Sequence, residues 1–391
     1  MKVIYFVYGW GKAVGGHYVS LRSTAESISK ENECVIINLG PARSSSLNSS
    51  KLKVYNIGEK CRILDIFREG RRIIEHEKPD VLHAFDRQSY FYANLYSMLY
   101  KKPVFLTKCG GPNPKFYPKA QNLILYSKEN LDFFESKTRY KRSKKYLLPN
   151  RIIKPNQDRL RLEQLSRMIN TRPKVFLRIS RISNYYISSL IQSIHLVNAL
   201  NRDGISSILI IIGSIEEPQT YEELSQYINE NVILLTDDLY TVNANQLVDI
   251  AEYVIGTGRS FMEAASLGKI MLCPLENSDF PLLVTRENFN EVFEKNFSER
   301  VSLKDLNTDE NYKSIIRALS DNTYSTQLVQ DTLYFSEKHF DILRVIGHYQ
   351  GIYESACYRA NLNILDNLIL LIGTIYINYR SSRRSNYNSN N

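Results

Sequence analysis

Short, wholly apolar runs alternate with amphipathic stretches along most of the chain. Lys2–Val7, Cys34–Leu39, Val81–Ala84, Val104–Thr107 and Leu123–Tyr126 read as buried strands, and Lys53–Ile57 as a shorter one. Between them apolar residues recur at helical spacing. Tyr18, Leu21, Ala25 and Ile28 predict a helix from about His17 to Lys30, and further helices are expected over Ile63–Glu77, Tyr90–Tyr100 and Lys128–Glu135. Ala42–Ser50 reads as a Ser-rich loop. The polar stretch Ile152–Arg172 reads as a connection carrying one short helix. The pattern then restarts with strands at Lys174–Ile179, Ser207–Ile212 and Val232–Leu235, and helices at Ser188–Asn201 and Val242–Glu252. Two successive series of strand and helix predict an α/β protein with two Rossmann-like domains facing a cleft.

The helical signal changes after that. Tyr334–Ala360 reads as one long helix, amphipathic in patches. Leu362–Tyr379 is apolar but interrupted by Asn363, Asp366 and Asn367, and its unbroken part, Leu368–Ile377, is short of the roughly 20 residues that span a bilayer. Arg380, Arg383 and Arg384 follow, then a polar stretch Ser385–Asn391 expected to be disordered. The expected divisions are therefore 1–170, 171–335, a helix over 336–361 returning toward the first domain, and an apolar and basic tail over 362–391.

A length of 391 residues agrees with two domains, since single cores rarely grow past roughly 250–300 residues. The net charge of +9 points to anionic ligands or an anionic membrane surface; no nucleic-acid-binding motif accompanies it, so no nucleic acid is expected as partner. Cys34, Cys61, Cys109, Cys273 and Cys357 form no C-x-x-C pair and no zinc spacing, so no metal site is expected and free thiols in a reducing cytoplasm are the simplest account. The run Lys2–Val7 is too short for a cleavable leader. A packing helix and a membrane-interface helix both fit the tail.

Candidate chemistry concentrates in two places. The first is the carboxyl edge of the first strand series. There Gly15 and Gly16 open a helix with His17 at its start, Asp86 follows a strand, and Lys108 to Gly111, with Gly110, forms a loop after another. The strict G-x-G-x-x-G spacing is absent, which argues against a nicotinamide dinucleotide. The second is Val254–Pro274, read as strand, tight loop, helix, turn, strand. Gly256, Thr257, Gly258, Arg259 and Ser260 form the loop, Ser260 is the expected N-cap with Glu263 completing a capping box, and Gly268 ends the helix. Backbone N–H groups at such a helix start, with Arg259 beside them, suit an anion.

The second half resembles the family-four (group 1) glycosyltransferases of the GT-B fold. The resemblance rests on Arg178–Ile182 (RISRI), Ile210–Gly213 (IIIG) and Gly258–Gly268 (GRSFMEAASLG), supported in the first half by Pro79–Ala84 (PDVLHA), Pro103–Thr107 (PVFLT) and Leu148–Asn150 (LPN). It implies retaining, metal-independent transfer of a sugar from a nucleotide-sugar, with no cofactor beyond that co-substrate. The expected protein is cytoplasmic and acts on a cell-surface polysaccharide or lipid-linked glycan, which the basic surface and the tail suit, and the membrane-interface reading of the tail would place it peripherally on the inner face of the cell membrane. Arg181 and Glu263 would be the catalytic pair: the cation balances the leaving diphosphate and the carboxylate takes the ribose hydroxyls. Gly15, Gly16, Arg178 and the Gly256–Ser260 loop would complete the donor side, and His17, Asp86, Lys108 and Gly110 the acceptor side. Three positions depart from the family pattern: Ile255 stands where a first Glu is usual, Tyr185 and Tyr186 where a Lys is usual, and Cys109 where a His is usual. A nucleotide-sugar epimerase and a non-catalytic scaffold of a polysaccharide assembly complex are the alternative readings.

Overall fold

The protein is described from a computed structural model that covers every residue except 11, 12, 14, 61, 170–172, 304–306, 360–363 and 389–391, with the side chains of 364 and 380–388 also left aside. The chain divides into two compact units, Met1–Asn150 with Ile342–Asn391, and Arg151–Asp341.

The first unit is built on a seven-stranded sheet of β1 (Lys2–Tyr8), β2 (Glu33–Leu39), β3 (Lys53–Ile57), β4 (Val81–Ala84), β5 (Val104–Lys108), β6 (Asn122–Leu125) and β7 (Lys144–Leu147), in the order β3-β2-β1-β4-β5-β6-β7. Every pairing is parallel. Central parallel strands are covered by helices on both faces and read as near-continuous apolar runs, as Val3–Val7 shows with every side chain buried, whereas the edge strands β3 and β7 carry Lys53, Lys144 and Lys145. The second unit repeats the scheme with β8 (Lys174–Ile179), β9 (Ser207–Ile212), β10 (Val232–Leu235), β11 (Tyr253–Ile255), β12 (Ile270–Cys273) and β13 (Leu282–Leu283), in the order β10-β9-β8-β11-β12-β13. Only β13 runs antiparallel, against β12. In both sheets the strand order reverses direction once, between β1 and β4 and between β8 and β11. Crevices at such switch points, beyond the carboxyl ends of the strands, are where open α/β sheets take ligands.

Several expectations need correction. The boundary at 170/171 lies too late, because residues 151–169 pack on the second unit. Asp158 accepts from Arg161 and its amide donates to the Gln246 carbonyl, while Arg161 reaches the carbonyls of Leu239 and Val242. Ile152 pairs with Asp341 in an isolated parallel bridge, so the two crossings between units lie side by side within the second. The single helix over Tyr334–Ala360 is broken into pieces: a helix ends at Phe335, a wide turn covers Ser336–Phe340, Asp341 is extended, and a helix resumes over Ile346–Glu354. Val242–Glu252 is a short 3₁₀ segment, Ala244–Ile250, and Ala42–Ser50 contains one helical turn, Ser45–Asn48. The basic stretch around Lys144 is edge strand β7, and helices Pro218–Ser225, Thr308–Ser320 and Asn322–Phe335 were not among the expected elements, although Tyr312, Ile315, Ile316 and Leu319 recur at helical spacing. The last helix runs over Ile364–Asn388, so residues 385–388 are helical rather than disordered; 389–391 lie outside the described residues.

The segment after Ile342 completes the first unit's core. Ile342, Val345, Tyr349 and Tyr353 pack with Val3, Tyr5, Phe105 and Ile124. At its centre His83 is wholly enclosed between the Tyr353 hydroxyl at 2.6 Å and Thr107 Oγ1 at 2.7 Å. Burial pushes this imidazole down to about 3. Its folded pKa therefore lies below the unfolded value of 6.5, and the unfolded chain binds the extra proton first as the pH falls. The stability that neutral His83 supports is present above pH 6.5 and drains away between 6.5 and 3, by about 1.4 kcal/mol per pH unit. Asp86 acts with the opposite sign below about 6, because burial raises its pKa, so the effect is read by difference. We expect the deficit of His83→Gln relative to wild type in urea unfolding to narrow by roughly 2 kcal/mol from pH 6.5 to pH 5. A deficit that does not change with pH would contradict this.

Candidate functional site

In the second unit the switch point between β8 and β11 gathers the expected donor residues. Arg178, near the end of β8, lies wholly inside at 0% exposure. Its guanidinium donates to the Ile255 carbonyl at 3.2 Å, to Ser189 Oγ at 2.9 Å and to Glu299 Oε1 at 3.1 Å. An enclosed cation bound on these sides cannot meet a ligand directly, so its expected donor-binding role is corrected to one of holding the edge of the sheet together. Arg181, three residues on, keeps 43% of its side chain exposed. It pairs with Glu216 at 2.9 Å, donates to the Tyr186 hydroxyl at 3.2 Å and lies over the Tyr186 ring. Tyr186 thus orients Arg181, and its neighbour Tyr185 accepts from Arg300 at 2.8 Å.

The Gly256–Ser260 loop follows β11 directly. A Cβ at Gly256 would fall 2.6 Å from Phe261 Cα, and Gly258 sits at φ +48°, so both positions favour glycine for steric reasons. The helix spans Gly258–Ala265 and its N-cap is Thr257, not Ser260: the Thr257 amide donates to Ser260 Oγ at 3.1 Å in a capping box of these two residues. Glu263 is released from the capping task. It is 9% exposed and accepts from Arg259 at 2.6 Å, one helical turn back. Arg259 also reaches the Arg151 carbonyl.

The expected cradle of backbone N–H groups is not what this loop presents. Gly256 donates to the Leu272 carbonyl, Thr257 to Ser260 Oγ, Gly258 to the Asn296 carbonyl and Ser260 to the Thr257 carbonyl. These four amides already have protein acceptors, so an anion there meets side-chain cations first.

Sequence reading missed the segment that supplies one of those acceptors. Asn296 and Phe297 are consecutive non-glycine residues at φ +54° and +52°, a conformation costing about 1–2 kcal/mol each. Packing holds it in place: the Phe297 ring stacks on Phe261 at 3.8 Å and 6°. The next residues, Ser298, Glu299 and Arg300, come to the carboxyl edge beside Arg178 and Tyr185. Glu299 is 17% exposed, and among the described residues Ser298 Oγ and Asn296 Oδ1 are buried without a hydrogen-bond partner. The one available signal was the spacing of Phe289 and Phe293, which marks the apolar face of a short helix, with a third phenylalanine at 297 just beyond its end.

In the first unit, Asp86 lies at the β1/β4 switch point. It accepts from the amides of Tyr8 at 2.8 Å and Ser89 at 2.7 Å, capping helix Arg87–Tyr100, and burial pushes its carboxyl up to about 6. Lys108 ends the neighbouring β5, but its ammonium turns back onto the carbonyls of Gly110 and Gly111. Its expected acceptor contact is thus replaced by a loop-closing one. Gly15 caps a helix starting at Gly16, and the His17 ring lies over Gly15 and against Tyr18.

No protein-family model and no curated protein sequence matches the chain. Solved structures match across nearly its whole length. Anabaena HepE in complex with UDP-glucose aligns at TM-score 0.67 and 14% identity over 91% of this chain and 100% of that one. A glycosyltransferase from Rickettsia africae aligns at 0.65 and 11% over 90% and 97%. The UDP-GlcNAc 2-epimerase of Neisseria meningitidis, bound to UDP-GlcNAc, aligns at 0.57 and 15% over 91% and 100%. The chain therefore has the GT-B fold, with two Rossmann-like domains.

Proposed function

We propose that the chain is a glycosyltransferase that moves a sugar from a UDP-sugar, with retention and without a metal, to a cell-surface polysaccharide or glycolipid at the inner face of the membrane. The observation that carries this reading is the constellation at the β8/β11 switch point: an accessible Arg181, and an Arg259–Glu263 pair at the start of the helix after β11. A departing diphosphate gains negative charge as the glycosidic bond breaks, and preorganised cations lower that barrier. Arg181 and Arg259 take this role, while Glu263 accepts from the ribose hydroxyls. In the first unit, Asp86 and the residues around Gly15, Gly16 and His17 face the acceptor, with Lys108 and Gly110 shaping the loop beside them.

Glu299 takes the hydroxyl contacts of the donor sugar, which Ile255 has no group to make. Its Oε1 is held by Arg178 and Ser189, and the side chain keeps an open face. Calorimetry with UDP and UDP-glucose tests both statements. Wild type should bind both, and Glu299→Gln, whose amide oxygen still serves Arg178, should lose roughly 5–10-fold for UDP-glucose and nothing for UDP. Absence of UDP binding to wild type would overturn the transferase reading; equal losses for both ligands would overturn only the Glu299 role. An epimerase is the second reading, favoured by the Neisseria structure, and it predicts an altered sugar on UDP with no acceptor present.

A further inference from the structure

The C-terminal helix, Ile364–Asn388, is fastened to the first unit by one side. Asp366 accepts from Arg139 at 2.6 Å and from the Lys119 amide at 3.0 Å, Asn367 accepts from Asn94, and Tyr8 donates to Asn378, with Leu370 and Thr374 buried between. The other side carries Leu365, Leu368, Ile372, Ile375, Tyr376 and Tyr379, all between 49% and 61% exposed. Apart from the adjacent Ile375 and Tyr376 they follow one another in steps of three and four, so they form one stripe along the helix. Soluble surfaces rarely expose so continuous an apolar strip without a use for it.

A hollow of about 520 Å³ adjoins the stripe, between this helix and helix Ile63–Glu77. Ile375 and Asn378 line one wall, and Arg62, Leu64, Asp65 and Arg68 the other. Leu64 is 66% exposed, and the Arg68 side chain 73%. Asp65 lies 4.0 Å from Arg68. The single acidic residue of the C-terminal helix, Asp366, is buried in its ion pair, so the stripe itself offers no carboxylate to solvent. Arg380, Arg383 and Arg384 continue the same helix.

We propose that this face docks on an anionic lipid bilayer, with the stripe in the headgroup–acyl boundary and Arg62 and Arg68 on lipid phosphates at the hollow. Among the described residues no helix is long and apolar enough to cross a membrane, which fits a helix lying in the interface. Tyr376 and Tyr379 stand toward its arginine-bearing end, where amphipathic rings suit headgroup depth. Charge separates this occupant from a second copy of the chain. Two copies apposed here would crowd Arg62 and Arg68 of each, whereas an anionic bilayer neutralises them. The proposal stands on the first unit alone and does not depend on nucleotide binding.

The test is co-sedimentation of the full chain with vesicles of phosphatidylglycerol and phosphatidylcholine, against phosphatidylcholine alone. Wild type should sediment with the anionic vesicles and much less with the neutral ones. Ile372→Glu with Ile375→Glu should cut the binding constant by about 100-fold or more, roughly the loss of two buried aliphatic side chains. Arg62→Glu with Arg68→Glu should cut it by about 5-fold per residue and remove the preference for anionic vesicles. The arginine pair is exposed, so it decides the matter if the isoleucine variant does not fold. Equal sedimentation with both vesicle types, or a folded variant binding like wild type, would overturn the proposal. So would a wild-type dimer that Ile372→Glu with Ile375→Glu dissolves, without vesicle binding.

Discussion

Glu263→Ala should lower the affinity for UDP, and kcat/KM for a UDP-sugar, by roughly 10–150-fold, the equivalent of losing about 1.5–3 kcal/mol of hydrogen bonding to a charged group. The structure gives the loss two sources. Glu263 is nearly enclosed, so no water-exposed neighbour replaces its carboxylate, and its removal unpins Arg259, held at 2.6 Å. Glu263→Gln keeps the shape and an acceptor and should recover part of the loss. A purely structural role is separated by the ligand. Wild type should bind 2′,3′-dideoxy-UDP more weakly than UDP by about the same factor, and the Glu263→Ala variant should bind the two alike, because the partner of the ribose hydroxyls is gone. If the variant still discriminates between them, the ribose contact lies elsewhere.

Glu299→Ala should destabilise the second unit by about 3–5 kcal/mol. The Arg178 guanidinium is wholly buried, so deleting its carboxylate partner leaves an uncompensated charge inside the second unit. For a unit of this size the melting temperature should fall by roughly 6–20 °C. Combining it with Arg178→Met should restore most of the loss, because an apolar side chain then fills the buried position. Glu299→Gln should fall between wild type and Glu299→Ala. If Glu299→Ala melts like wild type, Arg178 is held by Ser189 and the Ile255 carbonyl alone.

These two carboxylates differ in how they could be recognised. Glu263 stands in a long local pattern, so strand, glycine loop, helix and carboxylate were all legible from neighbouring residues. Its cap was misassigned because Thr257 and Ser260 are both competent caps and only backbone geometry chooses between them. Glu299 belongs to no pattern. It reaches the site because Phe297 before it stacks on Phe261 and packs against Phe289, which turns the chain back toward β8. Arg178 showed the reverse problem: a cation beside a conspicuous motif reads as ligand-binding, and only its enclosure shows that the protein itself is its partner.

By itself the sequence determined the alternation of strand and helix, the two-unit plan, the glycine loop after β11 and the place where the pattern restarts. Those properties follow from apolar periodicity and from residues a few positions apart, and local chemistry encodes them directly. Tertiary structure alone decided which unit each connecting segment joins, which amides of the loop are already bonded, and which of Arg178, Arg181 and Lys108 faces outward. It also decided that the last helix packs one side and leaves a stripe of leucine, isoleucine and tyrosine uncovered. Each of these depends on contacts between residues distant in the chain, where the competition for a hydrogen bond or a buried surface is settled by proximity in space.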